Sequence, residues 1–521
     1  MKKLFSHWKE DIPASLVVYL VALPLCLGIS LASTGDSSHL FSGIIAGVVG
    51  GVIVGFFSGS RLGVSGPAAG LITIVSAAII SIGSFEGFLV AVILSGIFQI
   101  VAGLLKAGAI GQYFPSSVIK GMLAAIGITL ILKEIPHALG YDANFTGDES
   151  FMQSDNHNTV SQLLYAIKAI SPGAFLTTII SILILVLFEK PFLKKIALFK
   201  ILPGALFVVV LGVLITVISG WYFPQFRPSA DHLVSLPIST NGFEISTFFV
   251  FPDFSFLTNS KIYVVAITIA LIGSIETLLS VEAADKLDPE KFKTPKNKEL
   301  IAQGIGNIVS GFVGGLPVTQ VIVRSSANIS SGGKSKLSTM FHGVFLILTA
   351  LLIPNVLNLI PLASLSAILL MVGYKLSQLD LYKQMFKLGV EQYLPFIATI
   401  LGILLTDLLK GIMFGVAISI FFILRKNYRN NFTETIIHED DHDTIAVILS
   451  EEVTFINKGS ILTMLNKLPT NSYVTIDGAK CKSIDYDVLE IIQEFENYGA
   501  REKSIHLELK DIPSVKIVHP H

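Results

Sequence analysis

Fourteen apolar stretches follow one another along this chain, near residues 14–33, 40–58, 67–82, 87–105, 117–132, 173–188, 203–221, 262–283, 300–315, 319–331, 338–353, 361–374, 392–408 and 411–424. A helix that crosses the apolar part of a bilayer needs ~20 predominantly apolar residues, so the pattern predicts a helical, polytopic membrane protein. Two of the stretches, 67–82 and 319–331, are too short for a full crossing.

The polar residues between the stretches sort by sign. With the N-terminus inside, alternate connections carry Arg61, then Lys106 and Lys120, then Lys190, Lys194, Lys195 and Lys200, then the lysines from Lys286 to Lys298, then Lys334 and Lys336, then Lys375, Lys383 and Lys387. The connections in between hold few basic residues, chiefly Lys168, Arg227 and Lys261, and the one over 137–160 carries Asp142, Asp148, Glu149 and Asp155. Lys and Arg gather on the cytoplasmic side of membrane proteins. The expectation is therefore fourteen segments with both termini cytoplasmic, in the plasma (inner) membrane; an odd count would put Arg425, Lys426 and Arg429 outside.

Composition extends this picture to a second region. Of 521 residues, 52% are hydrophobic and only 14% charged, whereas soluble domains carry roughly 25% charged residues. A soluble enzyme is excluded. Residues 1–437 hold 29 Lys and Arg against 23 Asp and Glu, while residues 438–521 hold 8 against 15. We read a transmembrane domain over 1–437 and a small acidic aqueous domain over 438–521, with nothing basic enough in the tail to bind nucleic acid. Cys26 and Cys481 fall one in each region, so they predict neither a disulfide nor a metal site.

An internal repeat is visible. Residues 49–59 (VGGVIVGFFSG) laid over 305–315 (IGNIVSGFVGG) match Gly50 with Gly306, Gly55 with Gly311, Phe56 with Phe312 and Gly59 with Gly315. These are the second and ninth stretches, and each is followed by a proline (Pro67, Pro317) and then by one of the short stretches. Seven is odd, so two seven-span halves must be inverted relative to one another. Inverted halves with interrupted helices at matching places are the mark of secondary transporters with a midplane site. The first short helix is expected to open on Ala68, Ala69 and Gly70 after Pro67, the second on Val318, Thr319 and Gln320 after Pro317. Proline suits a first helical turn, and small side chains leave the positive helix ends open to an anion.

Ionisable residues inside spans are costly and point to function. Glu276 sits about two-thirds of the way along the eighth span with Ser280 one turn on, and Arg324 lies six residues into the tenth stretch after Val318. Glu276 and Arg324 are read either as a buried bridge or as a proton or cation site at Glu276. Glu86, Lys133, Glu134, Asp407 and Lys410 fall near span ends and are expected at the interface. His438–His442 is a literal HExxH, which on a helix would offer two zinc ligands, but it lies in an acidic stretch without helical periodicity and reads as a solvated linker. Gly304 and Gly306 lack the third glycine of a dinucleotide fingerprint. In the tail, residues 444–449, 473–477 and 504–509 read as buried strands and 458–468 and 486–498 as helices, which predicts a small α/β domain.

The order DIPASLVVYLVALPLCLG, LGVSGPAAG, SIETLLS, GIGNIVSGFVGGLP, VRSSAN and a terminal α/β domain resembles the SulP anion permease family, whose tail is a STAS domain. The resemblance implies an all-α membrane domain of seven-plus-seven inverted repeats with two half-helices, a core moving against a gate, and usually a homodimer. It also implies an anion site between spans three and ten: Ala68, Ala69 and Gly70 facing Thr319, Gln320 and Val321. Arg324 matches the arginine found after the tenth half-helix starts in many members, including prestin. Glu276 and Ser280 match the positions of the cation-ligating Asp and Thr in the sodium-coupled bicarbonate member, and proton-coupled members commonly have Glu at the first. SGPAAG lacks the threonine often seen in that loop. Asp485-Tyr486-Asp487 stands where phosphorylatable STAS domains have Asp-Ser. The expected activity is H⁺- or Na⁺-coupled transport of sulfate or bicarbonate, without any other cofactor; a dicarboxylate carrier, an uncoupled channel or exchanger, and a nucleobase carrier of the same architecture are the alternatives.

Overall fold

The computed structural model describes residues 6–143, 158–190, 203–222, 249–429, 432–438 and 443–515, together with the isolated positions 151, 228 and 232–234. By its internal contacts the chain divides into one unit over Met1–Val416 and another over Ala417–His521. The division falls inside the last long helix, earlier than the sequence boundary at 437.

Each of the fourteen apolar stretches lies on a helix. The first half holds α1 (Trp8–Thr34), α2 (Leu40–Phe57), α3 (Ile72–Ile82), α4 (Phe85–Leu104), α5 (Ser116–Leu139), a short amphipathic α6 (Thr159–Lys168), α7 (Pro172–Glu189) and α8 (Gly204–Tyr222). The second holds α9 (Ser260–Leu287), α10 (Lys296–Phe312), α11 (Ile322–Ser330), α12 (Lys336–Leu352), α13 (Leu362–Leu376), an amphipathic α14 (Leu379–Lys387), α15 (Val390–Leu405) and α16 (Leu408–Arg429). The halves correspond element by element. In each, the third long segment is a half-helix, and an amphipathic helix separates the fifth span from the sixth.

Eight helices among the described residues are long and apolar enough to cross a membrane, and Ala69–Ile82, Lys336–Leu352 and Val390–Leu405 are shorter apolar ones. The other three, α5, α10 and α11, carry Lys120, Lys133 and Glu134, Lys296 to Glu299, and Arg324. Three of these charged residues face protein, Glu134, Glu299 and Arg324 all being buried, and the lysines lie towards the helix ends. Glu134 therefore departs from its expected interfacial place. α5 runs on to Leu139, more than a turn beyond the apolar stretch, and packs along α13, with Glu134 buried.

The basic connections meet at one end of the bundle. Lys336 Nζ donates to the Phe56 and Ser58 carbonyls at 3.1 and 2.8 Å, and Arg61 and Lys334 pair with Glu290 at 2.5 and 3.7 Å. At the opposite end Asp253 N–H donates to the Glu86 carbonyl and Lys261 Nζ to the Ser81 carbonyl. This is the segregation that the alternation of charged connections predicts.

The second unit has its own apolar core, built on Ile445, Val447, Leu465, Val474, Ile476 and Val488. Strands β3 (Phe432–His438), β4 (Asp443–Leu449), β5 (Tyr473–Asp477) and β6 (His506–Lys510) form a sheet in that order, β3 antiparallel to β4 and the rest parallel. Helices α17 (Lys458–Lys467) and α18 (Tyr486–Glu494) make the crossovers. The sheet begins at Phe432, ahead of the expected boundary, because His438 pairs with Asp443 in a hairpin. Four residues of the HExxH, Glu439 to His442, lie outside the described residues. Asp485 caps α18, accepting from Asp487 N–H at 3.0 Å, a place where a short carboxylate replaces a missing helical partner.

Candidate functional site between the half-helices

Backbone that is not helical can sit at membrane depth only where protein covers it and its polar groups find partners. Both breaks in this fold meet that condition by pairing with each other. Ser65–Pro67 (β1) and Val318–Gln320 (β2) form a two-stranded antiparallel ribbon, Ser65 opposite Gln320, Gly66 opposite Thr319 and Pro67 opposite Val318, all six buried. Pro67 lacks an N–H and so leaves no donor to satisfy.

Side chains close the remaining gaps. Asn307, on α10, accepts from Val318 N–H at 2.6 Å and donates to the Val318 carbonyl at 3.0 Å and to Gln99 Oε1 at 2.7 Å. Thr277 Oγ1 accepts from Gln320 N–H at 3.3 Å, and Ser325 Oγ from Val64 N–H at 3.0 Å. Asn328 and Thr339 donate to the Leu62 and Gly63 carbonyls. Gln303 Nε2 donates to Ser65 Oγ at 2.7 Å and to Glu299 Oε1 at 2.9 Å, while the other Glu299 oxygen accepts from Ser58 Oγ and Gly59 N–H. Sequence reasoning missed Gln99, Asn307, Gln303 and Glu299. Their signal was present as polar residues inside apolar helices, which need a buried partner.

The ribbon sets where the helices begin. Ala68 is extended, residues 69–71 make a tighter turn, and α3 follows at Ile72. On the other side Val318, Thr319 and Gln320 belong to β2, Val321 is extended, and α11 begins only at Ile322. The expected opening at Val318 is thus displaced by four residues, because pairing with β1 holds those residues straight. Arg324 consequently stands in the first turn of α11 rather than deep within it.

Arg324 is the largest fully buried side chain, 1% exposed, and neither Nη1 nor Nη2 has a hydrogen-bond acceptor among the described residues. Its guanidinium lies over Gly66, where a Cβ would come within 2.1 Å of Nη1, and beside Cys26 and Gly47 of α1 and α2. Glu276 goes elsewhere. It is 9% exposed and its carboxylate packs on Gly70, with Oε1 3.1 Å from where a Cβ would stand. The two ionisable groups thus serve the two half-helices separately, Arg324 behind the ribbon and Glu276 in front of the first helical turn. Ser280 is buried one turn beyond Glu276.

A cleft of about 270 Å³ reaches Ala69, Gly70 and Thr73 between Ile126 and Thr129 of α5, Ile272 of α9, and the Asp407–Lys410 turn. Its lining does not include Thr319, Gln320, Val321 or Arg324. Thr319 approaches it from β2, its methyl within 3.4 Å of a Cβ placed on Gly273, next to Ile272, whereas the Gln320 amide lies over Gly63. Thr319 Oγ1 and both polar atoms of the Gln320 side chain are buried without a protein partner among the described residues. The arrangement offers a small anion helix N–H groups at the exposed Gly70 and, behind them, uncharged polar groups buried in protein. Ala68 is buried beside it.

Comparison with known proteins agrees with this architecture. Bicarbonate transporter BicA of Picosynechococcus sp. is 27% identical over 449 residues, covering 84% of this chain and 74% of BicA. YvdB of Bacillus subtilis is 27% identical over 478 residues, covering 89% and 84%. The transmembrane domain of a cyanobacterium bicarbonate transporter BicA superposes with a TM-score of 0.54 at 25% identity, covering 79% of this chain and 98% of that domain. The murine Solute Carrier 26 family member A9 anion transporter in the inward-facing state shares the fold at a TM-score of 0.66 and 15% identity, over 97% and 86% of the chains. Residues 8–399 match the Sulfate permease family along nearly the whole helical unit, ribbon and half-helices included. An anion-transporting membrane protein and not an enzyme, this chain belongs to the sulfate permease family.

Proposed function

We propose that the chain is a secondary active transporter of a small inorganic anion, sulfate or bicarbonate, coupled to H⁺ or Na⁺. The observation that carries this reading is the Glu276 carboxylate against Gly70, at the opening turn of the first half-helix. That helix end is positive and attracts anions. An ionised Glu276 fills the same field and repels an incoming anion, whereas a Glu276 neutralised by a proton, or by Na⁺ shared with Ser280, does not. Anion and cation then raise each other's affinity, which is the linkage that symport requires.

The anion is held between the N-terminal ends of spans three and ten, by Ala68, Ala69 and Gly70 on one side and Thr319, Gln320 and Val321 on the other, with Arg324 supplying positive charge behind the ribbon. Alternating access exposes it to each side in turn. The basic end of the bundle is cytoplasmic in this reading, in the plasma (inner) membrane, the tail is a STAS domain that begins with the strand at Phe432 rather than at 438, and the transporter works as a homodimer. Similarity to the BicA proteins supports bicarbonate among the candidates. The short side chains of Ala68, Ala69 and Gly70 read charge and size rather than identity, which also leaves room for a dicarboxylate.

Purified protein in liposomes is expected to accumulate labelled sulfate or bicarbonate under an imposed H⁺ or Na⁺ gradient. Glu276→Gln is expected to lose accumulation by about tenfold or more while keeping anion-for-anion exchange, since an uncharged side chain no longer takes up the coupling ion. Uptake indifferent to both gradients sinks the coupling and leaves an uncoupled channel or exchanger.

A further inference from the structure

A second cavity, several times larger than the cleft, opens at the basic end of the bundle. Its volume is about 1250 Å³, beyond the roughly 300–1,000 Å³ typical of small-molecule sites and far more than one small anion fills. Its walls come from the 106–112 connection, α5, the end of α9 with the loop into α10, and the end of α13 with α14. Seven lysines line it against three carboxylates, Glu282, Asp285 and Asp380.

Much of this charge is not neutralised locally. Lys296 pairs with Glu282 at 2.6 Å, and Lys286 reaches the same carboxylate at 3.9 Å. Asp285 is occupied by Thr294, accepting from its N–H and its hydroxyl at 2.7 Å each, and Lys375 pairs with Glu189. Asp380 pairs with Lys383 at 3.5 Å. Lys106, Lys120 and Lys293 have no carboxylate within ion-pair distance among the described residues. They stand on different walls of the cavity.

No arginine among the described residues lines the cavity. Bidentate capture of a single carboxylate or phosphate is the work of arginine, whereas lysines act as point charges that respond to the total negative charge of a ligand; three of them on separate walls call for a ligand with several charged groups, as a polyphosphate has. We infer that this cavity binds a polyanion bearing two or more phosphate groups, either a soluble polyphosphate compound or the headgroup of an anionic phospholipid, through Lys106, Lys120 and Lys293. A ligand held by Lys120 of α5 and by Lys293 before α10 ties together two walls that belong to different helices. If those helices slide during transport, as the proposed transport cycle requires, occupancy slows the cycle.

The test uses full-length protein in nanodiscs and inorganic tripolyphosphate as the probe, with binding followed by calorimetry at two salt concentrations. Saturable binding is expected, weaker at higher salt because partly exposed charges are screened. A Lys120→Gln/Lys293→Gln variant should bind about tenfold more weakly, since charge-assisted contacts are lost on two walls. Lys168→Gln, on α6 and away from the cavity, should bind as the native protein does and guards against a general effect of charge removal. Discs of phosphatidylcholine and discs containing cardiolipin, whose headgroup bears two phosphates, separate the two sources: weaker tripolyphosphate binding in the second, abolished by the double variant, identifies the headgroup as occupant, and equal binding in both identifies a soluble ligand. Absence of saturable binding, or equal loss in the double variant and Lys168→Gln, overturns the inference. Because binding is read without flux, it stands or falls separately from transport; tripolyphosphate trapped at the basic end should in addition slow sulfate or bicarbonate uptake in the native protein and not in the double variant.

Discussion

Gly66 shows how little room the site leaves. A methyl group there would occupy the space of Arg324 Nη1, and a buried guanidinium has no cheap alternative position because moving it exposes an unpaired charge to apolar surroundings. Gly66→Ala is expected to leave a folded protein in detergent, judged by size-exclusion profile, and to cut anion uptake by about tenfold or more by misplacing positive charge behind the half-helices. Normal uptake by Gly66→Ala would remove Arg324 from the site. Asp142 makes a second test at this scale, at the opposite end of α5 from the lysine cavity. Burial raises its carboxyl, but hydrogen bonds from His137 and His232 outweigh that and hold it below its ordinary value of 3.8. A carboxyl depressed on folding stabilises above its unfolded value and loses that contribution as the pH falls through the folded one. Asp142→Asn should therefore lower the thermal midpoint at pH 7, and the gap between variant and native protein should narrow as the pH drops below about 3.8.

Buried carboxylates and amides help to hold elements in register. Asp11, within the DIPAS stretch of α1, accepts from Lys334 N–H at 2.7 Å, Ser335 N–H at 3.0 Å and Ser335 Oγ at 2.5 Å. It thereby fixes the turn between α11 and α12, whose cap is Ser335. Asp11→Ala leaves two backbone donors and a hydroxyl without their charged partner, and should destabilise by about 3 kcal/mol or more, given ~1.5–3 kcal/mol for a hydrogen bond to a charged group. Asn307→Ala strips the Val318 N–H and carbonyl of their partner at membrane depth. A loss of about 2–4 kcal/mol is expected, read as a lower unfolding midpoint in detergent together with weakened anion uptake, since β2 loses its anchor to α10. Much of this scale was legible beforehand. The two short stretches marked the half-helices, and the prolines marked where the chain breaks. The four-residue delay of α11 was not legible, because it results from β2 pairing with a strand some 250 positions away in the sequence, and local propensity carries no term for that.

At the scale of the whole molecule, the tail has a separate core of sixteen buried apolar residues and a sheet closed within residues 432–510. Residues 430–521 expressed alone should fold, with a single cooperative unfolding transition and mixed helix and strand circular dichroism; a featureless spectrum would show that the tail depends on the membrane unit. Length, periodicity and charge placement determined by themselves that the chain spans a bilayer many times, that its basic connections share one end, that its halves repeat, and that an α/β domain follows. Those properties follow from partitioning between water and lipid, which acts on each segment separately. Only the tertiary structure decided that Glu276 and Arg324 face different partners instead of each other, that Glu134 is buried, and that Gln99, Asn307, Gln303 and Glu299 sustain the ribbon. Each of these depends on which distant backbone passes within hydrogen-bond reach, and that is settled by packing rather than by the order of residues along one helix.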